Sequence, residues 1–512
     1  MLFMHTILQR HGITSWLINT LFLLLVFVAV YTIHPTLYSS NQNTYLLHGL
    51  AQAGMGFLSA DWLAQTTDPM PLFTQLVKLT YLHLGESAFY VYHMVLLGVY
   101  IYAMVGIARR IFAVDKHLLS YLIYVVLLLL LHSAVLNILS HQLTGIHVGW
   151  LFYFGVADQY ILGSIFQPSL FGVFLIFSIY AFISQRPWLA IASATFAAII
   201  HPTYLLTAAT LTATYMGIIY YQSRQLRPAF LLGVMSLIIV LPIVIYVWQN
   251  FTATSAEIMQ QSRHILVDLR IPHHVDPERW LHKKAWLQIG IVIISLVVIR
   301  KTRLFPIMLS LFVVTSSLTL LQFATAHKGL ALLFPWRMFA LLVPIASCMI
   351  IAAIVQFIFN RYQSCIEYWK KVILIAVPVI IFALAVPNIV FFHNKTTAPA
   401  FFEYVKVHKT ANDLYLVPKH LQQFRLATGA PVVIDEKSHP YKDNEVIEWY
   451  TRFTAIQAFY QAENSESTCQ QLDKLVHTYQ ISHVVFSQEN VKTCPSLETV
   501  YQDEAFSLMK IN

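Results

Sequence analysis

Long apolar runs, joined by connections that are alternately basic and acidic, constrain this chain more than any other feature. A helix needs roughly 17 to 25 apolar residues to cross the hydrocarbon core of a bilayer. Runs of about this kind, some of them short, fall near 16–33, 89–108, 118–138, 169–184, 188–200, 204–221, 229–248, 285–299, 304–322, 338–359 and 372–392. Of the 512 residues, 57% are hydrophobic and only 11% are charged, which excludes a soluble domain of ordinary composition. The pattern predicts a mainly α-helical, polytopic membrane bundle of about 11 transmembrane helices.

Charge placement orients the bundle, because Lys and Arg in short loops are retained on the cytoplasmic side. Arg10 precedes the first run, and Arg109, Arg110 and Lys116 follow the second. Further basic connections hold Arg186, then Arg224 and Arg227, then Arg300, Lys301 and Arg303, then Arg361, Lys370 and Lys371. The alternate connections, 34–88, 139–168, 249–284 and 323–337, are longer and carry Asp61, Asp68, Glu86, Asp158, Glu257, Asp268, Asp276 and Glu278. This predicts a cytoplasmic N-terminus and an extracytoplasmic C-terminus. The stretch 188–221 is either one kinked helix or two spans broken at His201-Pro202, where proline removes a backbone donor. Two spans keep every basic loop on one side.

A net charge of +8 would suggest a nucleic-acid partner in a soluble chain. Here the positive charge sits in cytoplasmic loops, so membrane lipid is the expected partner and nucleic acid is not. No small-residue cleavage site follows the first run, which reads on as YTIHPTLYSSNQN and is taken as a retained span.

From about Asn394 the composition becomes that of a soluble domain. DLYLVP, APVVID and SHVVFS cluster β-formers, while EVIEWYTRFTAIQAFY and CQQLDKLVHTYQ carry apolar residues at helical spacing. The division expected is a transmembrane domain over 1–393, with loop 34–88 emerging from it, and a small extracytoplasmic α/β domain over 394–512. Cys469 and Cys494, the cysteines of that domain, are either a disulfide in an oxidising compartment or two free thiols. Cys348 and Cys365 read as packing residues. No phosphate-cradling glycine loop or dinucleotide fingerprint occurs, so no nucleotide cofactor is expected.

Several stretches together resemble the GT-C-type polytopic membrane glycosyltransferases. They are NTYLLHGLAQAG and FLSADW in the first long loop, FQPSLFGVFL, IIHPTYLL, FPWRMFALLVP, and LATGAPVVIDEKSHPYKDNEVIEWY. The resemblance is closest to an uncharacterised bacterial multi-span family with a C-terminal extracytoplasmic domain, and it covers most of the chain. It implies transfer of a sugar from a polyprenyl-phosphate donor to an extracytoplasmic lipid, glycan or protein acceptor. Such a reaction needs a carboxylate as general base and an arginine or divalent cation at the departing phosphate.

The resembling enzymes hold their carboxylate in the first long loop, which points to Asp61, with Asp68 in reserve. Many of them pair acidic residues there, whereas this chain reads Ala60-Asp61-Trp62 with the next acid seven residues on. Were 57–67 one helix, both carboxylates would share a face. Either aspartate would alternatively cap an interfacial helix with Trp62 anchored in the headgroup layer. Arg337 in FPWR is the expected phosphate contact, or else an arginine snorkelling from a span end, with Trp336 at the interface and Lys328 a weaker companion. His201 at the helix break, His48, and Asp158 are candidates for lining a substrate pocket. His141 and His147 lack zinc spacing, and no metal site is recognisable.

Two other readings stay open. A transporter or flippase of lipid-linked glycans would place ionisable residues inside spans and show internal repeats, and neither is evident. A non-catalytic assembly or scaffold protein is compatible with every residue named.

Overall fold

The computed structural model describes residues 12–31, 36–393, 400–462 and 465–512. Each of the eleven apolar runs is helical. In chain order they become Gly12–Tyr31, Ala88–Phe112, the pair Leu118–His132 and Ala134–Thr144, Val173–Ile183, Pro187–Ile200, Leu205–Ser223, Leu226–Asn250, Lys283–Ile299, Phe305–Thr325, Phe339–Arg361 and Lys370–His393.

Fewer satisfy the length and polarity that a crossing demands. Five stretches do so, Ala88–Phe112, Leu226–Asn250, Phe305–Thr325, Lys328–Arg361 and Lys370–Asn388, and the pair broken at Ser133 by a 52° bend makes a sixth if it acts as one span. The apolar helices Pro168–Ile183 and Pro187–Ile200 are shorter. Fourteen residues at the helical rise cover about 21 Å, well under the ~30 Å hydrocarbon thickness. Among the described residues, five or six stretches are therefore long and apolar enough to cross, and the rest of the eleven expected crossings lack that support.

Contacts divide the chain into two units. The helical unit holds Met1–His34, Tyr90–Ile243 and Ile271–Asn394. Asn388 reaches back from the last helix and donates to the backbone oxygen of Val30 at 2.7 Å, and Tyr100 meets His132 at 2.8 Å. Polar side chains that pair between helices are the usual adhesive where lipid removes the hydrophobic drive. Lys328–Arg361 is interior, with 78% of its most apolar window buried, against 17% for Lys370–Asn388, whose apolar side chains face outward. The break at His201 is present. Pro187–Ile200 ends there, His201 is extended, and a turn over Pro202–Tyr204 restarts the chain as Leu205–Ser223.

The sheet-bearing unit joins Pro35–Phe89, Val244–Arg270 and Lys395–Asn512. The long loop that the sequence attaches to the transmembrane domain thus folds with the C-terminal segment. Four strands, β1 (Tyr415–Leu416), β2 (His483–Ser487), β3 (Leu497–Gln502) and β4 (Phe506–Ile511), form one sheet in the order β1-β2-β4-β3. β1 runs parallel to β2, and β4 is antiparallel to both β2 and β3. The APVVID stretch makes a single bridge, Tyr415 to Val432, instead of a strand. Phe401, Phe424, Val432, Val485 and Leu508 close the core beneath the sheet. The helix Ser465–Tyr479 is stapled to the segment before β3 by a disulfide between Cys469 and Cys494. Cys348 is a buried free thiol.

Candidate functional site

The FPWR stretch builds a cationic site in the helical unit. Phe334 takes a left-handed conformation, φ 49°, and starts the tight turn Pro335–Met338. Thr315 donates to the Pro335 carbonyl at 2.7 Å, and Trp336 is wholly buried with its indole nitrogen donating to the backbone oxygen of His274 at 2.7 Å. Trp336 is therefore the root of the turn, not an interfacial anchor. With that side chain turned inward, Arg337 lies over the Phe334 ring at 4.8 Å and remains half-buried.

The Arg337 guanidinium meets only uncharged partners. Its Nε donates to Gln159 Oε1 at 2.9 Å, and Nη1 reaches His201 Nε2 at 3.2 Å and the Thr203 hydroxyl. Burial and the neighbouring guanidinium hold the His201 pKa well below its ordinary value, so the imidazole is neutral and accepts. No carboxylate pairs with Arg337 among the described residues. A half-buried cation balanced by neutral acceptors keeps its full charge for an incoming anion, and a guanidinium edge suits a phosphate oxygen pair.

Gln159 is delivered by an unusual backbone. Ala157 and Asp158 both have positive φ, 57° and 50°, which costs energy outside glycine and concentrates at functional sites. Gly155 permits this loop to dock, because a Cβ there would stand 2.5 Å from the backbone nitrogen of Ala340. His274 Nδ1 pairs with the Ala157 carbonyl at 2.8 Å, while burial pushes its pKa down to about 4. Asp158 forms an ion pair with Lys284. Burial alone would raise its pKa, but the Lys284 ammonium beside it holds the carboxyl below its ordinary value.

The structure thus brings Arg337 and His201 into contact and sets Asp158 beside Gln159, which partners the guanidinium together with Thr203. The triplet Asp158-Gln159-Tyr160 reads in the sequence as a candidate pocket lining or as a stretch that sits in water. Lys328 opens the helix Lys328–Ala331 and is not among the groups that hydrogen-bond Arg337.

The acidic loop has a different architecture from the one expected. Residues 57–67 do not form one helix. Two single turns, Leu58–Ala60 and Leu63–Gln65, flank Asp61, whose backbone is extended, so Asp61 and Asp68 share no helical face. Asp61 is completely buried. Oδ1 accepts from the Leu63 amide at 3.0 Å, and Oδ2 accepts from Arg425 Nε at 2.7 Å and from the Val432 amide at 2.9 Å. Arg425, itself buried, also pairs with buried Asp435. This geometry gives Asp61 the work of a tie between loop and sheet-bearing core, with both oxygens engaged. Trp62 packs under the Arg452 guanidinium at 4.3 Å from its ring centre.

Asp68 has more freedom. Oδ1 accepts from the Met70 amide at 2.9 Å, its backbone oxygen accepts from the Tyr246 hydroxyl at 2.7 Å, and the side chain is half-buried against a small recess that His48 and His439 also line. His48 meets the Thr66 carbonyl at 3.1 Å. Among the described residues no group of three His, Cys, Asp or Glu side chains is disposed to hold a metal ion. His141 and His147 stack on each other at 4.3 Å.

Residues 397–456 match a family profile described as a domain of unknown function, DUF6798. The matched stretch carries Arg425 and Asp435, which hold Asp61, and His439 of the recess. No curated protein matches the chain.

Proposed function

We propose that this chain is a membrane glycosyltransferase that uses a polyprenyl-phosphate-linked sugar and an extracytoplasmic acceptor, with Arg337 as the group that receives the lipid phosphate. The observation that carries the reading is Arg337 itself, a half-buried guanidinium whose partners Gln159, His201 and Thr203 are all uncharged. As the bond from sugar to phosphate breaks, negative charge grows on the leaving oxygen, and a fixed cation already held in place lowers that barrier without reorganising. Asp158, ionised beside Lys284 on the adjoining turn, is the carboxylate this reading assigns to the acceptor hydroxyl. The resemblance in sequence supplies the lipid-linked donor and the bacterial inner membrane.

Eleven crossings, with a cytoplasmic N-terminus and the sheet-bearing unit outside, belong to the same proposal. Support comes from the helical state of all eleven apolar runs and from the alternation of basic loops. A second reading, a non-catalytic assembly protein, is favoured by one observation: the first-loop carboxylate of Asp61 is spent on a buried ion pair.

The test compares cell-envelope glycans, by mass, in a deletion strain complemented with the parent, Arg337→Gln or Asp158→Asn. Transfer predicts that both variants reach the membrane in normal amount and lose the glycan by roughly 100-fold or more. Full restoration by Arg337→Gln rejects the transferase.

A further inference from the structure

The helix Pro71–His83, in the sheet-bearing unit, is apolar on two faces. On one side Phe73, Thr74, Val77 and Thr80 are buried, and Gly49 lets Val77 approach so closely that a Cβ on the glycine would stand 2.6 Å from it. On the other side Leu72, Leu76, Leu79 and Leu82 recur at spacings of four, three and three, the repeat of a single helical stripe. Leu72, Leu79 and Leu82, with Leu84 just past the helix end, are between 43% and 64% exposed, so no described residue covers them. A helix apolar on both faces belongs in an apolar surrounding, and an uncovered apolar stripe marks an interaction surface.

Both ends of this helix are tied to stretches able to cross a bilayer. Before it, the Asp68 backbone oxygen accepts from the Tyr246 hydroxyl at 2.7 Å, and Tyr246 lies close to the C-terminal end of Leu226–Asn250. Trp248, in the last turn of that helix, is exposed in the manner of an interfacial anchor. After it, only residues 84–87 separate His83 from Ala88–Phe112. Leu226–Asn250 and Ala88–Phe112 are both long and apolar enough to cross. The 13 residues of Pro71–His83, about 20 Å of helix, are therefore held at the level where these stretches leave the bilayer.

Composition and area name the occupant. Pro71–His83 contains no Asp or Glu, and its one Lys, Lys78, is half-buried at the edge of the stripe, where an ammonium on an apolar stem suits a lipid phosphate. A stripe four leucines long falls short of the roughly 800 Å² per partner that a stable protein interface buries, which disfavours a second copy of the chain.

We propose that Pro71–His83 is an interfacial helix through which the sheet-bearing unit docks on phospholipid, with Leu72, Leu76, Leu79 and Leu82 among the acyl chains and Lys78 at the headgroup phosphates. The docking stands whether or not Arg337 serves a lipid phosphate.

The experiment uses the full chain in vesicles of phosphatidylethanolamine and phosphatidylglycerol. Leu79→p-benzoylphenylalanine places a photoreactive ketone on the stripe, and Lys474→p-benzoylphenylalanine places one on the exposed polar face of Ser465–Tyr479. After irradiation the products are separated by intact mass. Leu79 is expected to give a one-phospholipid adduct about tenfold or more above Lys474. Should the Leu79 variant fail to accumulate, Leu82→p-benzoylphenylalanine takes its place. The proposal is overturned if the stripe position gives no more phospholipid adduct than Lys474, or if its main product joins two copies of the chain.

Discussion

Asp61 and Arg425 lie 364 residues apart in the chain, yet their side chains meet at 2.7 Å with both wholly buried. Arg425 also grips Asp435, so one guanidinium answers two carboxylates. Removing one partner of a buried pair leaves the other charge uncompensated, at a cost of roughly 3–5 kcal/mol. Asp61→Asn should therefore lower the stability of the sheet-bearing unit by about 3 kcal/mol, read from denaturant unfolding followed by tryptophan fluorescence. The double variant Asp61→Asn with Arg425→Met should cost clearly less than the sum of the two singles. Additive losses would show that the two residues do not act as a pair.

The same tie depends on a glycine. Gly56 has φ +54°, and a Cβ there would meet the Gly429 carbonyl oxygen at 2.3 Å, while the Phe57 amide donates to that oxygen at 2.8 Å. Gly56→Ala combines backbone strain with a clash against backbone that has no side chain to move, so a loss above about 2 kcal/mol is expected. Gly54, at φ +79° with open space around it, isolates the strain alone and should lose only about 1 kcal/mol on replacement by alanine. Equal melting temperatures for the two variants would contradict the close approach.

His439 predicts a pH dependence whose sign follows from its burial. The folded pKa is about 3 and the ordinary value is 6.5. Below pH 6.5 the unfolded chain takes up a proton that the fold refuses, so stability is full above about 6.5 and falls as the pH drops toward 3. The loss across that window should amount to a few kcal/mol. Denaturant midpoints between pH 7 and 4.5 should drop for the parent and stay flatter for His439→Phe. Parallel curves would mean that the imidazole is not held neutral.

Local pattern made the helices legible. All eleven apolar runs are helical, and Pro202 marks the break at His201 because proline imposes its geometry on neighbours alone. Crossing number was less legible, since composition does not reveal that Ala134–Thr144 bends away from its neighbour. β3 and β4 escaped notice because LETVYQ, on the half-exposed edge, and FSLMKI, inside the sheet, both mix polar and apolar residues. APVVID looked like a strand because it is apolar, but its burial serves the contact with Asp61. The partner of Asp61 lay beyond any spacing argument. One clue was present: Arg425 stands between Phe424 and Leu426 in an otherwise apolar turn, and a buried arginine requires a carboxylate. Arg337 and His201 were recognisable singly, but the bond from Arg337 to Gln159 needed Gly155 to bring the Gln159 loop against the turn.

The proposed function turns on the charge of Arg337, and the most direct measurement is the affinity of the purified chain for a polyprenyl phosphate, by native mass spectrometry, with the matching polyprenol as the uncharged control. The parent should bind the phosphate at least tenfold more tightly than the alcohol, and Arg337→Gln should bring the two to the same weak level while leaving polyprenol binding unchanged. Equal affinity of the parent for phosphate and alcohol, or an Arg337→Gln variant that still prefers the phosphate, would contradict the assignment of this guanidinium to a lipid phosphate.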